Sequence, residues 1–341
     1  MSRQPGLFEI APPPPRRRAA AGDVLPASQS PLLGAPILPD EIRLGTSSWF
    51  FPGWRGLVYD AVYPQTALSK KGLVAYGAIP LLRTVSLDRT FYAALTTAEY
   101  ARYATQSPDD FSFVVKAPAM VCDAVTRDGE GRGRVGNPHF LDAGIAAREF
   151  VVPCLEGLGD KAGPLVFQIS PLPRGLVEET PLLIERLEAF FAALPRQLGR
   201  QTPLYGLELR NPELLTPRLM QMLKRVGVRY CVGLHDRMPE IERQQTALRA
   251  LDGDAPGDQP GDLIVRWNLH RGFLYQAAKQ RYEPFDKLVD EDPQTRRILA
   301  GMAARAFRAK RRVWITANNK AEGSAPLSVL RLAEEIAQIL G

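Results

Sequence analysis

Short apolar runs of strand character alternate with longer helix-like stretches from Glu41 to the C-terminus, and this unit recurs eight times. Strands that are separated by helices in this way usually lie parallel to one another in a single sheet. Eight such units favour a (β/α)₈ TIM-like barrel of the α/β class, with eight parallel strands surrounded by helices. A chain of 341 residues is long enough for one such barrel and an appendage.

The bounds of the predicted elements follow from the apolar runs and the turn residues that flank them. The predicted strands are Ile42–Ser48, Leu82–Asp88, Phe111–Lys116, Leu165–Ser170, Leu204–Arg210, Tyr230–His235, Leu263–His270 and Arg312–Asn318. The predicted helices are Gln65–Gly77, Thr97–Ser107, Phe140–Leu158, Pro181–Leu194, Thr216–Val226, Pro239–Leu251, Asp286–Lys310 and Pro326–Leu340.

Each predicted strand has one apolar face and one face that becomes polar towards its C-terminal end, because successive side chains alternate between faces. The residues assigned to the polar, inward face are Ser86, Asp88, Val114, Lys116, Gln168, Ser170, Glu208, Arg210, Gly233, His235, Arg266, Asn268, His270, Thr316 and Asn318. A purely structural barrel interior would consist of branched apolar residues. The polar face therefore predicts a ligand pocket at the C-terminal mouth, and the alternative is an ion-pair network that only fills the interior.

The inward face carries cations as well as acid–base groups. Lys116, Arg210 and Arg266 suit a phosphate or carboxylate, since arginine binds such groups with two hydrogen bonds. Glu208 and His270 are the candidate catalytic residues, with His270 beside Glu208 as a general base. Asp88, His235 and Asn318 complete the ligand-binding residues predicted on this face.

A metal site would need three or four converging acids and histidines. The candidates at the strand ends are Asp88, Glu208, His235, Asp236 and His270. The three cations predicted on the same face compete with a divalent metal, so no metal ligand is assigned. The sequence names no cofactor.

An aromatic segment, Trp49–Trp54, follows the first strand. It either lines the mouth as an apolar or stacking wall, with Trp49 in contact with the ligand, or closes one end of the barrel. A second segment, residues 126–137, is rich in glycine and arginine and predicts a mobile loop that covers an anionic ligand.

Residues 1–40 contain nine prolines and the run Arg16–Arg18. Such a segment buries too little apolar surface to fold alone, so it predicts a flexible extension before a single barrel domain at 41–341. A partner-docking segment or a weak electrostatic arm is the alternative. The three cysteines are widely spaced and the apolar runs are too short to span a bilayer, which predicts a cytoplasmic protein without membrane partners.

Seven ordered motifs between residues 41 and 341 resemble the YecE-like family, or domain of unknown function 72. The segments of this chain, each followed in parentheses by the family motif that it resembles, are Ile42–Trp49 with Trp54 (IGTSGW…W), Val85–Tyr92 (VExNxTFY), Phe111–Pro118 (FxFxxKxP), Leu165–Pro171 (LxQLPP), Gly206–Asn211 (VEFRH), Val265–His270 (YxRxHG) and Trp314–Asn319 (FNN). The resemblance implies a TIM-like barrel whose activity is not established. It also adds Tyr92, the end of the second motif, to the predicted ligand-binding residues.

One residue that departs from the family motifs, Ser86, affects the chemistry expected at the mouth. Ser86 stands where the second motif has glutamate, which lowers the expected number of carboxylates near Glu208 and weakens a two-carboxylate acid–base mechanism.

The sequence leaves three functions open. One is a hydrolase, lyase or isomerase, or a binding protein, for a small anionic or polyhydroxylated ligand. The second is nucleic-acid binding or processing through the basic segments and the Trp49–Trp54 aromatics, and the third is a non-catalytic scaffold barrel. No oligomeric state follows from the sequence.

Overall fold

The computed structural model describes residues 22–127, 133–236, 238–253 and 259–341. Eight parallel strands close into a barrel in the order β1-β10-β9-β8-β7-β6-β3-β2, which confirms the predicted fold. The strands are β1 (Ile42–Thr46), β2 (Thr84–Leu87), β3 (Ser112–Lys116), β4 (Val125–Arg127), β5 (Gly133–Gly136), β6 (Ala162–Ile169), β7 (Tyr205–Leu209), β8 (Arg229–Leu234), β9 (Leu263–Trp267) and β10 (Val313–Ala317). β4 and β5 lie outside the barrel and form an antiparallel pair.

Helices follow the barrel strands and cover their outer faces. They are α1 (Gln65–Gly77), α2 (Thr97–Thr105), α3 (Ala119–Cys122), α4 (Ala143–Ala146), α5 (Val152–Leu158), α6 (Arg174–Glu178), α7 (Thr180–Ala193), α8 (Pro217–Val226), α9 (Ile241–Asp252), α10 (Tyr275–Tyr282), α11 (Pro293–Arg308) and α12 (Ala325–Leu340). A π-helical turn, Ala147–Val151, joins α4 to α5, so the predicted helix Phe140–Leu158 is interrupted by a turn of wider pitch.

The barrel interior has an apolar layer that the strand alternation assigns to the inward face. Its buried residues are Val114, Val166, Cys231, Ile264 and Trp314. The outward positions of the same strands, such as Phe113, Phe167 and Val265, pack in the main hydrophobic core between strands and helices. The predicted assignment of inward and outward faces is therefore correct within the strands.

Most of the strands end earlier than predicted. β2, β7, β8 and β10 each stop one residue before the polar residue that was expected to end them. β9 ends at Trp267, three residues before His270. These polar residues lie at the mouth, where the chain leaves the barrel and the regular strand pairing ends, although single backbone hydrogen bonds continue beyond it, such as that from Asn318 N to Trp267 O at 2.8 Å.

Two differences affect the helices between β9 and β10. The helix predicted for Asp286–Lys310 begins only at Pro293, because the Asp292 side chain caps it by accepting a hydrogen bond from Thr295 N at 3.0 Å, with proline at the first helical position. α10 was not predicted, because its eight residues show little amphipathic periodicity.

The segment predicted as a flexible extension is only partly described. Residues 22–40 pack on the barrel, with Val24 and Leu32 in the main core and Ser30 capping the 3₁₀ turn Pro31–Gly34. The packed part of the chain therefore begins before residue 41, while residues 1–21 lie outside the described residues. So do residues 128–132 of the predicted loop 126–137. No helix in the described ranges is long and apolar enough to cross a membrane.

Candidate functional site at the barrel mouth

The polar layer above the apolar interior is centred on the guanidinium of Arg266. Its Nη1 donates to Glu208 Oε2 at 2.6 Å, and its Nη2 lies 2.8 Å from both carboxylate oxygens of Asp88. Arg266 is 2% exposed and Glu208 is fully buried. A buried ion pair of this kind survives only when each charge has a close partner, which both groups have.

Arg210 gives Glu208 a second cation. Arg210 Nη2 lies 2.9 Å from Glu208 Oε1, and both arginines donate to Gln168 Oε1, at 2.9 Å from Arg210 and 3.1 Å from Arg266. Burial alone would raise the pKa of Glu208, but Arg266 and Arg210 hold it below its ordinary value. Burial would likewise lower the pKa of Arg266, whereas Asp88 and Glu208 raise it. Glu208 is therefore a permanent anion in the floor of the mouth.

Neighbouring strands bring these groups together through their register. Gln168 pairs with Glu208 between β6 and β7, and Gly233 pairs with Arg266 between β8 and β9. A Cβ atom at Gly233 would lie 3.2 Å from both Cγ and Cδ of Glu208, so the glycine leaves the space that the glutamate side chain fills. Gly233 thus leaves room for the Glu208 side chain and for the Met238 methyl group, whose Cε would lie 2.6 Å from the same Cβ.

An open cavity of about 440 Å³ lies above this floor. It is lined by Asp88, Tyr92, Lys116, Gln168, Pro171, Arg210, His235, Asp236, Arg266, Asn268, Tyr275 and Asn318. The cavity is at the C-terminal ends of the strands, where ligands bind in parallel barrels. Its size suits a small metabolite.

Lys116, the last residue of β3, projects its amine into this cavity. Nζ lies 3.5 Å from the centroid of the Phe91 ring. Burial, assisted by Arg266 and Arg210 and opposed by Asp88, lowers the pKa of Lys116 to about 8. The amine is thus still largely protonated at neutral pH but releases its proton more readily than an exposed lysine.

A second lysine borders an adjoining cavity of about 640 Å³, which shares Asp88, Tyr92, Tyr275 and Asn318 with the first. Lys320 Nζ donates to Asn318 Oδ1 at 3.0 Å and lies 4.3 Å from the centroid of the Tyr275 ring. Burial is the main cause that lowers the pKa of Lys320, to about 8. Together the two cavities form one elongated cleft with a lysine in each part.

The loop after β8 contributes His235 and Asp236. His235 Nδ1 contacts Asp236 Oδ1, and the imidazole stacks on Tyr275 with 6.1 Å between ring centroids. Burial and the charge of Arg210 lower the pKa of His235, so its imidazole is neutral at neutral pH. The buried Gln244 amide ties this loop to β8, since its Oε1 accepts from Gly233 N at 3.0 Å and its Nε2 donates to Gly233 O at 2.8 Å and to Pro239 O at 2.7 Å.

Most of the predicted site residues meet at the mouth. Glu208 lies in the floor, and the seven that line the cavity are Asp88, Tyr92, Lys116, Arg210, His235, Arg266 and Asn318. Two predicted residues do not join them, namely Trp49 and His270.

Trp49 is 2% exposed and belongs to the core between strands and helices. Its Nε1 donates to Leu68 O at 3.1 Å, and its ring packs edge-on against Phe50 and Tyr103. Trp54 is likewise fully buried and donates to Asn319 Oδ1 at 3.1 Å. The two tryptophans of the predicted aromatic wall are therefore structural parts of the fold, because a short 3₁₀ turn at Pro52–Trp54 folds the segment back onto the barrel, whereas Phe50 and Phe51 of the same segment line the adjoining cavity.

His270 is not among the residues that line the mouth cavity above Glu208. Its Nδ1 lies 2.8 Å from Arg271 O, its ring contacts Phe273, and it lines a smaller cavity between the loops after β8 and β9. The inward assignment extended the strand alternation to a residue three positions beyond the end of β9, where that alternation no longer applies. The pairing of His270 with Glu208 as a general base is therefore wrong.

Tyr275 and Lys320 are among the cleft residues that were missed. Tyr275 begins α10, the helix that was not predicted, and Lys320 follows the asparagine pair after β10. The run Asn318–Lys320 directly after the last strand was a usable signal for Lys320, because strand ends point at the mouth. The described residues contain no group of three or more His, Cys, Asp and Glu side chains arranged to hold a metal ion.

Comparisons with known proteins agree with this fold. The family model "Protein of unknown function DUF72" matches residues 43–339. A DUF72 family protein of Thermotoga maritima is 19% identical with a TM-score of 0.55, and the match covers 87% of this chain and 99% of that one. One from Enterococcus faecalis is 16% identical with a TM-score of 0.48, covering 88% and 97%. No curated protein matches the sequence. At these identities the structural likeness shows the fold alone.

Proposed function

Since this chain belongs to the DUF72 family, whose name assigns no activity, we propose from the mouth itself that it binds a small anionic, polyhydroxylated molecule. The observation that carries the proposal is the pair of buried or half-buried lysines, Lys116 and Lys320, one in each part of the cleft. Neither amine forms a salt bridge with a carboxylate among the residues that the structure describes. Burial of an ammonium group is costly when no anion lies beside it, and a ligand anion would offset that cost.

The charge balance of the floor supports this assignment. Glu208 and Asp88 together neutralise Arg266 and Arg210, so these four side chains form a closed group with no net charge. The cations left for a ligand are the lysines above, and the cavity of Lys116 also contains the carboxylate of Asp236 at its His235 side. A bound phosphate or carboxylate would contact Lys116 or Lys320 and would find the outer edge of the Arg210 guanidinium, which is 10% exposed, within the same cleft.

The remaining lining suits hydroxyl groups. Gln168, Asn268 and Asn318 present amides to the cleft, and an amide both donates to and accepts from a hydroxyl. Tyr92, which is 87% exposed, and Tyr275 add aromatic surface that packs against the apolar face of a sugar-like ligand. Anion-binding cations, amides and aromatic rings together favour a phosphorylated or carboxylated polyol.

Nucleic-acid binding loses its main structural argument. The stacking wall expected from Trp49 and Trp54 is absent from the surface, since both rings are buried. Binding of oligonucleotides that falls steeply with salt would still revive it. A non-catalytic scaffold predicts no small-molecule ligand at all.

A thermal-shift experiment with matched ligands tests the proposal. Glycerol 3-phosphate and glycerate, but not glycerol, should raise the melting temperature, since a ligand at a hundred times its dissociation constant stabilises the native state by about 2.7 kcal/mol. The double variant Lys116→Met/Lys320→Met should lose this shift, whereas Lys224→Met, at an exposed position of α8, should keep it. Shifts of equal size in wild type and the double variant would refute the site.

A further inference from the structure

We propose that Lys116 forms an imine with a small aldehyde or ketone that carries a phosphate or carboxylate. This inference rests on the proposed function, because it places the carbonyl of that anionic ligand at the Lys116 amine. It assigns a covalent role to one residue and narrows the ligand to a carbonyl compound.

The first support is the position of the side chain. Lys116 ends β3, and the hydroxyl oxygen of Thr90 lies within hydrogen-bond distance of both Leu87 O and Lys116 O, which ties the end of β3 to the end of β2. The backbone at Lys116 is therefore fixed, Lys116 lines the cavity, and its Nζ lies 3.5 Å from the centroid of the Phe91 ring. A nucleophile held in one place in a cleft of about 440 Å³ loses little freedom when it reacts.

The second support is that the amine, which lies against the Phe91 ring, has no carboxylate partner among the described residues. No salt bridge joins Lys116 Nζ to a carboxylate in the described ranges, although Asp88 lines the same cavity, because Asp88 is bound to Arg266 at 2.8 Å. Lys320 differs in this respect, since its amine donates to Asn318 Oδ1 at 3.0 Å. Of the two cleft lysines, Lys116 is thus the one whose nitrogen is free to attack.

The third support is electrostatic. A lysine attacks a carbonyl only as the neutral amine, and enzymes produce that form by desolvation and nearby cations. Both are present, and with a pKa of about 8 the neutral fraction at pH 7.5 is roughly two hundred times that of an ordinary lysine at 10.5. The position of Lys116 in the cleft provides the site for the reaction, and the lowered pKa of its amine provides the neutral form that reacts.

The chemistry balances without an oxidant or a reductant. The nitrogen lone pair forms a bond to the carbonyl carbon, the C=O π pair moves to oxygen, and a proton moves from nitrogen to that oxygen to give a carbinolamine. A second proton then lets the oxygen leave as water. The sum is one ammonium group and one carbonyl giving one iminium ion and one water. The iminium keeps the single positive charge of the ammonium, so the charge balance with Asp88, Arg210 and Arg266 is unchanged.

The anionic group of the ligand has cations within the same cleft. Arg210 lines the cavity that holds Lys116, and Lys320 lies in the adjoining cavity. A carbonyl compound with a phosphate or carboxylate at one end would thus be oriented by its anion and presented by its other end to Lys116. A neutral carbonyl compound lacks this orientation and should react far more slowly.

Pyridoxal 5′-phosphate is a suitable probe, because it is an aldehyde with a phosphate, and borohydride converts its imine to a stable secondary amine. The protein is treated with a limiting amount of this probe at pH 7.5, reduced with borohydride and analysed by peptide mapping. Of the chain's nine lysines, Lys116 should be labelled about tenfold faster than any exposed one, such as Lys224. Pyridoxal without the phosphate should show little selectivity. Labelling that falls equally on surface lysines, or chiefly on Lys320, would overturn the proposal.

Variants and a carbonyl-free ligand separate this inference from the proposed function. Lys116→Met removes the nucleophile and should lose the rapid labelling, while Lys224→Met, at an exposed position outside the cleft, should keep both the labelling and the glycerol 3-phosphate thermal shift. If glycerol 3-phosphate stabilises the wild type but Lys116 is not selectively labelled, the imine is refuted and the binding function stands. If neither result is obtained, both fail.

Discussion

Removal of Arg266 tests whether the floor of the mouth is a closed ion network. In Arg266→Met the side chain keeps a similar length but loses its charge. Glu208, which is fully buried, then retains only Arg210 at 2.9 Å as a cation. Asp88 also loses its partner, but its side chain is 36% exposed and water replaces much of that interaction.

The expected cost follows from the burial of Glu208. Removing one member of a buried ion pair destabilises a protein by about 3–5 kcal/mol, because it leaves an uncompensated charge. Since Arg210 remains, we expect about 3 kcal/mol for Arg266→Met. Adding Glu208→Gln removes that charge, so the double variant should recover about 2 kcal/mol. The matched control Asp88→Asn, at a more exposed group, should cost about 1 kcal/mol or less.

The sign of the pH dependence adds a second check. In the wild type the lowered pKa of Glu208 contributes stability above its ordinary pKa, and that stability is lost as the pH falls through the lowered value. Without Arg266, burial is opposed less strongly and the pKa of Glu208 should rise above its ordinary value. The native variant then takes up a proton more readily than the unfolded chain. The difference in unfolding free energy between wild type and variant should therefore shrink as the pH falls from 7.5 to 5.

Urea unfolding followed by the fluorescence of the four tryptophans measures these free energies. Two outcomes would refute the closed ion network. One is a cost of less than about 1 kcal/mol for Arg266→Met, and the other is a double variant that is less stable than Arg266→Met by the full cost of Glu208→Gln alone. A cost that does not change with pH would show that Glu208 stays ionised without Arg266.

Three further predictions follow from the same geometry. Binding of glycerol 3-phosphate should weaken as the pH rises above about 8, where Lys116 and Lys320 lose their charge; calorimetric titration at pH 7 and pH 9 measures this, and equal affinities would contradict the lysine assignment. Trp49→Ala should lower the unfolding free energy by about 3–5 kcal/mol, as expected for a core indole, and leave the ligand-induced shift of the folded protein intact. Asp88→Asn should lower the unfolding free energy, and adding Ser86→Glu should restore it, because the double variant again has one carboxylate on the side of β2 that faces Arg266. If the urea midpoint of the double variant shows no such recovery, a carboxylate at position 86 cannot replace the one at position 88.

The fold could be predicted from the sequence because its signal is repeated. Eight alternations of strand and helix, each with a strand that is apolar on at least one face, leave few architectures other than the closed barrel. The errors lie where that signal is interrupted. α10 is short and weakly periodic, and α11 begins at Pro293 rather than Asp286 because a capping aspartate and a proline determine its first turn.

The site could be predicted as far as the strand geometry extends. Glu208 and Arg266 lie within their strands, and Asp88 and Arg210 directly follow theirs, so alternation placed all four correctly on the inward face. His270 lies beyond that range. Trp49 was misjudged for another reason, since composition shows that a loop is aromatic but not whether the loop folds inward over the core.

The position of Asp88 changes the meaning of the departure at Ser86. The motif VExNxTFY has a carboxylate at the Ser86 position and an amide at the Asp88 position, whereas this chain has a hydroxyl and a carboxylate. Both positions face inward, two residues apart, and Ser86 Oγ donates to Asp88 Oδ1 at 2.7 Å. Asp88 in turn binds Arg266 through both oxygens. The motif and this chain therefore each carry one carboxylate at these two inward positions, and in this chain it stands at the position nearer the mouth. This arrangement makes Glu208 a buried counter-ion of Arg266 and Arg210 in the floor of the mouth.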